Sequence, residues 1–468
     1  LGSAGGLGRR RGLVVEDPRL LRVILVLAAP LFLSAGVQSL YEVVDTFWLS
    51  RLGRSALAVP SVAWQYRGVM MSVNFGVASS LSALVGQYVG AERFERAERS
   101  IGTVLGVLLA LNAVGAVLLY LGIPLYLRAV AAPADVVGPA AGYLAPLVLS
   151  VPFTAVNMVF NFALSAAGDT RTVMWVSLAM TLVNAGLDPL LIYWAGLGAA
   201  GAGAATAAAS GVGAAYALYS FATGRHGVRL GLRDLRPDPA LLRLAARVSA
   251  PVVAQRLGMN LGFIAMARIV DGLGTPVVAA YTIGQVVLSL DRVFALPLIR
   301  ATGIVVSQSL GAGLRDRALR AARTGLGLIL GIGSAYTAWL LLWSTGFIGV
   351  FTRDPLVLGA AEGMVRVFGP SVVSFNVFML ANVVGRSSGH TLLPSILGIA
   401  RLWALRIPLS WLLAYRLGLG DTGLWAGMAA SNHAAGAAAA WLLHGGWAEA
   451  VIEEARGRPR AAQGAPGA

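Results

Sequence analysis

The residues of this chain that could do chemistry are ionisable and amide side chains set inside long apolar runs. Each costs several kcal/mol in hydrocarbon unless it faces protein or water, so each is a functional candidate. Gln38, Tyr41, Glu42 and Asp45 are spaced i, i+3, i+4, i+7, which lines them along one helical face. Thr181, Asn184 and Asp188 repeat that spacing in a later run, with Pro189 directly after the acid. Tyr143, Asn157 and Asn161 lie in a third run and Thr206 in a fourth. Two carboxylates close together in a poorly hydrated pocket raise each other's affinity for a proton or a cation. Asn184 and Thr206 add neutral oxygens, so Asp45, Asp188, Asn184 and Thr206 read as a site for H+ or Na+, and spacing leaves both ions open. No other metal or cofactor is indicated: there is no cysteine, and His226, His390, His433 and His444 have no ligand spacing.

The runs that carry these groups occur twice. Asp17-Pro18-Arg19-Leu20-Leu21-Arg22 leads to Pro30, and Asp238-Pro239-Ala240-Leu241-Leu242-Arg243 leads to Pro251, an offset of 251 − 30 = 221. The register persists without a gap: Gln87 falls on Gln308, Gly90-Ala91 on Gly311-Ala312, Asn161 on Asn382, and Gly168 on Gly389. At that offset Asp45 falls on Met266, and Asp188 beside Leu409 or Ser410, so these acids belong to the first copy. A structural role would recur in both halves.

The chain is 57% hydrophobic and 12% charged, with a mean hydropathy of +0.74. Soluble domains carry roughly 25% charged residues, so the composition predicts an integral membrane protein. Spans of about 20 apolar residues fit near 20–49, 56–88, 100–123, 138–165, 172–194 and 199–222. The second half supplies 241–270, 276–310, 322–346, 357–386, 391–415 and 420–446. The arginines of alternate loops place both termini in the cytoplasm by the positive-inside rule. With six spans per half the two copies enter the membrane from the same side, as parallel repeats about an axis along the membrane normal. The expected organisation is a cytoplasmic segment 1–19, an N-lobe 20–222, a linker 223–240, a C-lobe 241–447 and a cytoplasmic tail 448–468. In that topology Asp45, Asp188, Asn184 and Thr206 converge in the outer half of the N-lobe. Pro30 and Pro251 are kink points, because proline removes a helical hydrogen bond.

The net charge of +15 sits in short loop clusters and does not indicate nucleic acid. Arg67, Arg256, Arg292 and Arg300 lie within spans; the plain reading of Arg292 is pairing with its neighbour Asp291, and Arg67 could neutralise Glu42. Gly196-Leu197-Gly198-Ala199-Ala200-Gly201 matches GxGxxG, but no acid follows about 20 residues on, so it reads as close helix packing and not as a nucleotide site.

Together these residues resemble the multidrug and toxic compound extrusion (MATE) transporters, and within them the DinF-like branch, over about 17–447. The resemblance rests on Ala29-Pro30 with Asp45-Thr46, on Ser82-Ala83-Leu84-Val85-Gly86-Gln87 with Gly90-Ala91, on Ala167-Gly168-Asp169-Thr170-Arg171, and on Asn184 with Asp188. It implies an all-α protein of twelve transmembrane helices in two six-helix bundles forming a V around a central cavity, most simply a monomer in the cell membrane. It implies export of small amphipathic, often cationic, compounds in exchange for H+ or Na+. Asp45 and Asp188 would be the coupling acids, completed by Asn184 and Thr206. Gln38, Tyr41, Tyr143 and Asn161 would line the N-lobe cavity, to which the residues themselves add Asn157, and Pro30 would be the kink that responds to Asp45. The other main branch relies on C-lobe acids, and the matching helices here lack an obvious one. The alternative is a flippase of lipid or lipid-linked oligosaccharide, which the arginines within the C-lobe spans favour. An enzyme is not expected, since the loops offer only isolated acids where metal-diphosphate chemistry needs clusters.

Overall fold

The computed structural model describes residues 7, 8, 10–50, 52, 54–130 and 132–444; the side chains of 40–47, 49, 50, 54–58, 61, 64 and 65 lie outside the described set. Among the described residues, helices account for almost all regular structure, and they follow the expected spans. The first half holds α1 (Leu20–Ser50), α2 (Arg54–Ser79, then Leu81–Gly90), α3 (Phe94–Ala129), α4 (Ala134–Leu149, then Val151–Ala166), α5 (Thr170–Pro189, then a π-helical turn Leu190–Trp194) and α6 (Ala199–Thr223). The second half holds α7 (Pro239–Asp271), α8 (Thr275–Ser289, then Asp291–Gly311), α9 (Arg315–Ile348) and α10 (Pro355–Phe368, then Ser371–Ser388). It closes with α11, which runs from Leu392 to Arg416 through two π-helical stretches, Arg401–Arg406 and Leu412–Arg416, and with α12 (Gly420–His444). Among the described residues, seven helices are by themselves long and apolar enough to cross a membrane, and nine when each bent pair is one span. α6 and α12 are rich in Gly and Ala, which are weakly apolar residues, and packing secures them more than hydropathy does.

The repeat seen in sequence is a repeat of structure. α4 bends by 52° at Ser150 and α10 by 51° at Gly369 and Pro370, within two positions of the repeat offset. α5 and α11 both end in a π-turn. Gly168 and Gly389 both take left-handed φ, 89° and 84°, to stop one helix before the next begins. Glu92 stands at φ 60° where the second copy has Gly313 at φ 76°. A side chain there is strained, and the Glu92 carboxylate is engaged by Arg11 at 3.1 Å.

Two compact units emerge, Leu1–Glu16 with Val26–Val253 and Asp17–Leu25 with Ala254–Ala468. Sequence puts the boundary at 223–240, whereas the units part inside the first helix of each half. The linker is bound to the first unit: the Arg229 amide donates to Glu98 Oε1 at 2.7 Å, and Gly102 and Gly106 of α3 lie against the backbone of Asp234 and Leu235. A side chain at either glycine would displace that backbone.

The start of the chain is also built into the first unit. Leu7 is 1% exposed, within the core of α2, α3, α4 and α6. Arg11 Nε donates to the Gly90 carbonyl at 3.1 Å. Arg10 pairs with Asp169 at 2.7 Å and donates to the His226 carbonyl at 2.9 Å. Asp169 is the N-cap of α5, accepting from the Thr172 amide at 3.1 Å, and it also faces His226 Nδ1 at 3.5 Å. Burial would raise its pKa, but His226, Thr172 and the Arg10 guanidinium outweigh burial and hold the carboxyl below the ordinary aspartate value.

The glycines of the GxGxxG match serve the turn and the packing. Gly196 and Gly198 take φ 67° and 56°, and a Cβ on Gly201 would lie 2.7 Å from the Leu191 carbonyl carbon.

Two outcomes are expected. Because the Asp169 pKa is depressed in the folded protein, its contribution is complete above the ordinary aspartate range and is lost as pH falls through the folded value. Amide-exchange protection of residues 10–16 should drop in that acid window, and Asp169→Asn should lower it already at neutral pH, at a cost of about 1–3 kcal/mol. Gly201→Ala meets backbone that cannot rotate away, so it should lower the thermal midpoint by the equivalent of about 1–3 kcal/mol, whereas Gly115→Ala, with nothing within 4 Å, should not.

Candidate functional site

In the first unit the site is assembled on α4, α5 and α6, which pack on one another. One turn of α5 separates Asn184 from Asp188, and Asn184 Nδ2 donates to Asp188 Oδ1 at 3.3 Å. Asp188 is 0% and Asn184 4% exposed. Pro189 has no amide hydrogen, and the helix continues from it into the π-turn Leu190–Trp194, a widened turn closed by i→i+5 bonds. The carboxylate therefore sits where the backbone ladder changes register.

Thr206 is half-buried on α6, its hydroxyl donating to the Ala202 carbonyl at 3.2 Å. Asn157 of α4 donates to the Ser210 carbonyl of α6 at 2.8 Å. Gly213 makes that approach possible, because a Cβ there would strike Met180 Sδ and lie 2.7 Å from Asn157 Oδ1. Tyr143 is 1% exposed in a core with Tyr66 and Leu144, and its hydroxyl accepts from Arg67 Nη1 at 3.3 Å. Asn161 is half-buried on α4, Gln38 is exposed on α1, and Pro30 is buried with α1 running on through it. The side chains of Tyr41, Glu42 and Asp45 lie outside the described residues. The structure thus joins Asn184 to Asp188, ties Asn157 to the helix that carries Thr206, and gives Arg67 the partner Tyr143.

In the second unit Asp291 is 0% exposed at the break of α8, beside exposed Arg292, which acts on it electrostatically, and Asn376 of α10 donates to its Oδ2 at 2.6 Å. The second half therefore does hold an interior acid, one whose first-half counterpart is Met70 (291 − 221).

Arg386, Arg401 and Arg406 also lie within predicted spans, and the rule that marks Arg256 as a candidate applies equally to them. Arg401 is 2% and Arg406 5% exposed. Both converge on one acceptor, Asn432 Oδ1 of α12, at 2.9 Å from Arg401 Nη1 and 2.6 Å from Arg406 Nη2. Residues five apart diverge on an α-helix; the π-helical stretch Arg401–Arg406 brings them to one side. Asn432 Nδ2 donates to Ser371 Oγ at 3.0 Å, and Arg406 Nε donates to Ser431 Oγ at 3.1 Å. Phe375 and Phe378 lie 4.9 and 5.6 Å from the Arg401 guanidinium, and Phe368 5.3 Å from that of Arg406.

Comparison with known proteins places this arrangement. The MatE family model matches residues 30–190 and again 251–412, the two halves of the repeat. The chain is 30% identical to multidrug resistance protein NorM of Burkholderia vietnamiensis over 89% of this chain and 92% of the relative. It is 26% identical to "Probable multidrug resistance protein YoeA" of Bacillus subtilis, over 89% and 92% of the two chains. Its fold is that of a MOP superfamily transporter from Pyrococcus furiosus, with a TM-score of 0.88 at 23% identity, covering 95% of this chain and 98% of the other.

Removing a buried partner of a charge typically costs about 3–5 kcal/mol. Asn432→Leu, which leaves two guanidiniums without their shared oxygen, should lower thermal stability on that scale. Asn432→Asp should retain most of it, since a carboxylate oxygen also accepts from both.

Proposed function

We propose that this chain, which belongs to the MatE family, is a secondary multidrug efflux antiporter of the cell membrane, exporting small amphipathic compounds in exchange for inward H+ or Na+. The observation that carries this reading is Asp188: a fully buried carboxylate that accepts from the Asn184 amide, beside a proline and a π-turn. A buried carboxylate demands a proton or a counter-cation, and an amide partner accommodates either. The relatives named as multidrug resistance proteins support the cargo, and the matched halves support a two-lobed carrier.

In this reading Asp45 and Asp188 are the coupling acids, with Asn184 and Thr206 supplying neutral oxygens. Gln38, Tyr41, Tyr143, Asn157 and Asn161 belong to the substrate side of the first lobe, and Pro30 is the flexible point of α1. Arrival of H+ or Na+ at the acids from outside weakens the hold on substrate and releases it. Departure of the ion on the inside restores the binding form. Because ion and substrate draw on the same carboxylates, each alters the affinity for the other, which is the dependence an exchanger requires. Both termini are cytoplasmic and the monomer is the working unit. Placement of these acids in the first half supports the DinF-like branch.

The test is efflux of a fluorescent organic cation from proteoliposomes under an imposed pH or Na+ gradient. Wild type should export dye under one of the two gradients, which names the coupling ion. Asp188→Asn and Asp45→Asn should each fall to the level of protein-free vesicles while dye still binds. Wild-type rates in both variants would remove the acids from the coupling role.

A further inference from the structure

The second unit contains a convergence of charge that the acids of the first do not explain. Arg256 on α7, Arg300 on α8 and Arg386 on α10 are brought together: Gln255, beside Arg256, donates to Asn382, one turn before Arg386, Gly303, one turn after Arg300, packs on Ser387, and Arg256 and Arg300 both act electrostatically on Arg386. All three belong to the same compact unit. Subtracting the repeat offset of 221 gives Ala35, Ser79 and Ser165 at the corresponding first-half positions, so the cluster was acquired or kept in the second copy alone.

Three features make it a site and not a scatter of charge. First, it is accessible. Arg300 is exposed and Arg256 and Arg386 are half-buried, although Arg300 shares its helical face with Gly303, which packs against Val383 and Ser387 of α10. Second, the helices that bear the arginines are fastened by other groups. Gln255 Nε2 donates to Asn382 Oδ1 at 3.1 Å, joining the residue beside Arg256 to the one a turn before Arg386, and Gly398 of α11 closes directly against Gln255. Third, the charge is all guanidinium, whose planar donors match the oxygens of a carboxylate or phosphoryl group two at a time. Like charges gathered among membrane helices repel one another, and an anion between them relieves that repulsion.

We propose that Arg256, Arg300 and Arg386 form an oxyanion-binding site within the second unit, which takes the carboxylate or phosphoryl group of an amphipathic ligand. This rests on the reading of the protein as a carrier of amphipathic compounds and extends its cargo from cations to zwitterionic and anionic amphiphiles. The oxyanion comes either from a soluble amphiphile or from a lipid headgroup, and the recognition chemistry is shared.

The test is equilibrium binding of radiolabelled cholate, an amphipathic carboxylate, to the full-length protein in phosphatidylcholine nanodiscs. No gradient is applied, so a failure of coupled efflux and a failure of this site are read separately. Wild type should bind saturably, and inorganic phosphate should displace cholate better than chloride at equal ionic strength. Arg300→Gln and Arg386→Gln should each weaken binding about ten-fold or more, the loss of charge-assisted hydrogen bonds, with Arg300→Lys recovering part of it. Thermal midpoints near that of wild type establish that the variants are folded. Replacing part of the phosphatidylcholine with phosphatidylglycerol separates the sources: weakened cholate binding assigns the site to lipid phosphate, and unchanged binding assigns it to soluble amphiphiles. Absence of saturable binding in wild type, displacement by phosphate no better than by chloride, or wild-type affinity in both glutamine variants overturns the proposal.

Discussion

A charge inside a membrane-spanning helix has no water to lean on, so the protein itself must supply the groups that hold it. Here that role falls to amides. Asn184 holds Asp188, Asn376 holds Asp291, and Asn432 holds Arg401 and Arg406 together. An ion pair would serve as well while both partners stay charged, but neutralising one partner strands the other in a low-dielectric interior. A side-chain amide carries both donor and acceptor, and it can serve a carboxylate, a carboxylic acid or a guanidinium without acquiring a charge of its own. That choice keeps the interior compatible with charges that come and go.

The duplicated scaffold has used this device with opposite signs. On α5 the buried charge is the Asp188 carboxylate; on α11, its counterpart, the 221-residue offset carries Arg401 and Arg406 back to Met180 and Ala185. The two helices share a terminal π-turn, and α11 has a second one that gathers its arginines. Equivalent backbone has thus been kept while the electrostatics diverged. Bends of 52° and 51° and matched left-handed glycines show how little of the divergence reached the chain path.

Much of this was legible in the residues. The unbroken register from Pro30 and Pro251 to Gly168 and Gly389 foretold the paired helices, because apolar length and loop glycines are local properties. Helical spacing brought Asn184 and Asp188 to one face, and a bond joins them. The π-turns were not legible, since a 3.6-residue period carries no sign of an i→i+5 turn, and with them went the meeting of Arg401 and Arg406 at Asn432. The hydrogen bond from Asn376 to Asp291 was not legible either: Arg292 acts on Asp291 electrostatically from the next position, but the carboxylate's bonded partner stands 85 positions away on α10. The docking of Leu7 and Arg10 was equally hidden: nothing in the residues before α1 announces the surface that receives them.

That docked leader has a bearing on how the protein is handled. Arg10 and Arg11 reach Asp169, the His226 carbonyl and the Gly90 carbonyl, so the stretch before α1 is a structural strap across the ends of α2, α5 and the turn after α6. An affinity tag or fluorescent fusion abutting Leu7 would compete with its insertion into the core, and a protease site engineered between residues 7 and 16 would be shielded from its enzyme. Reporter groups placed there would register the packing of the first bundle and not the freedom of a tail.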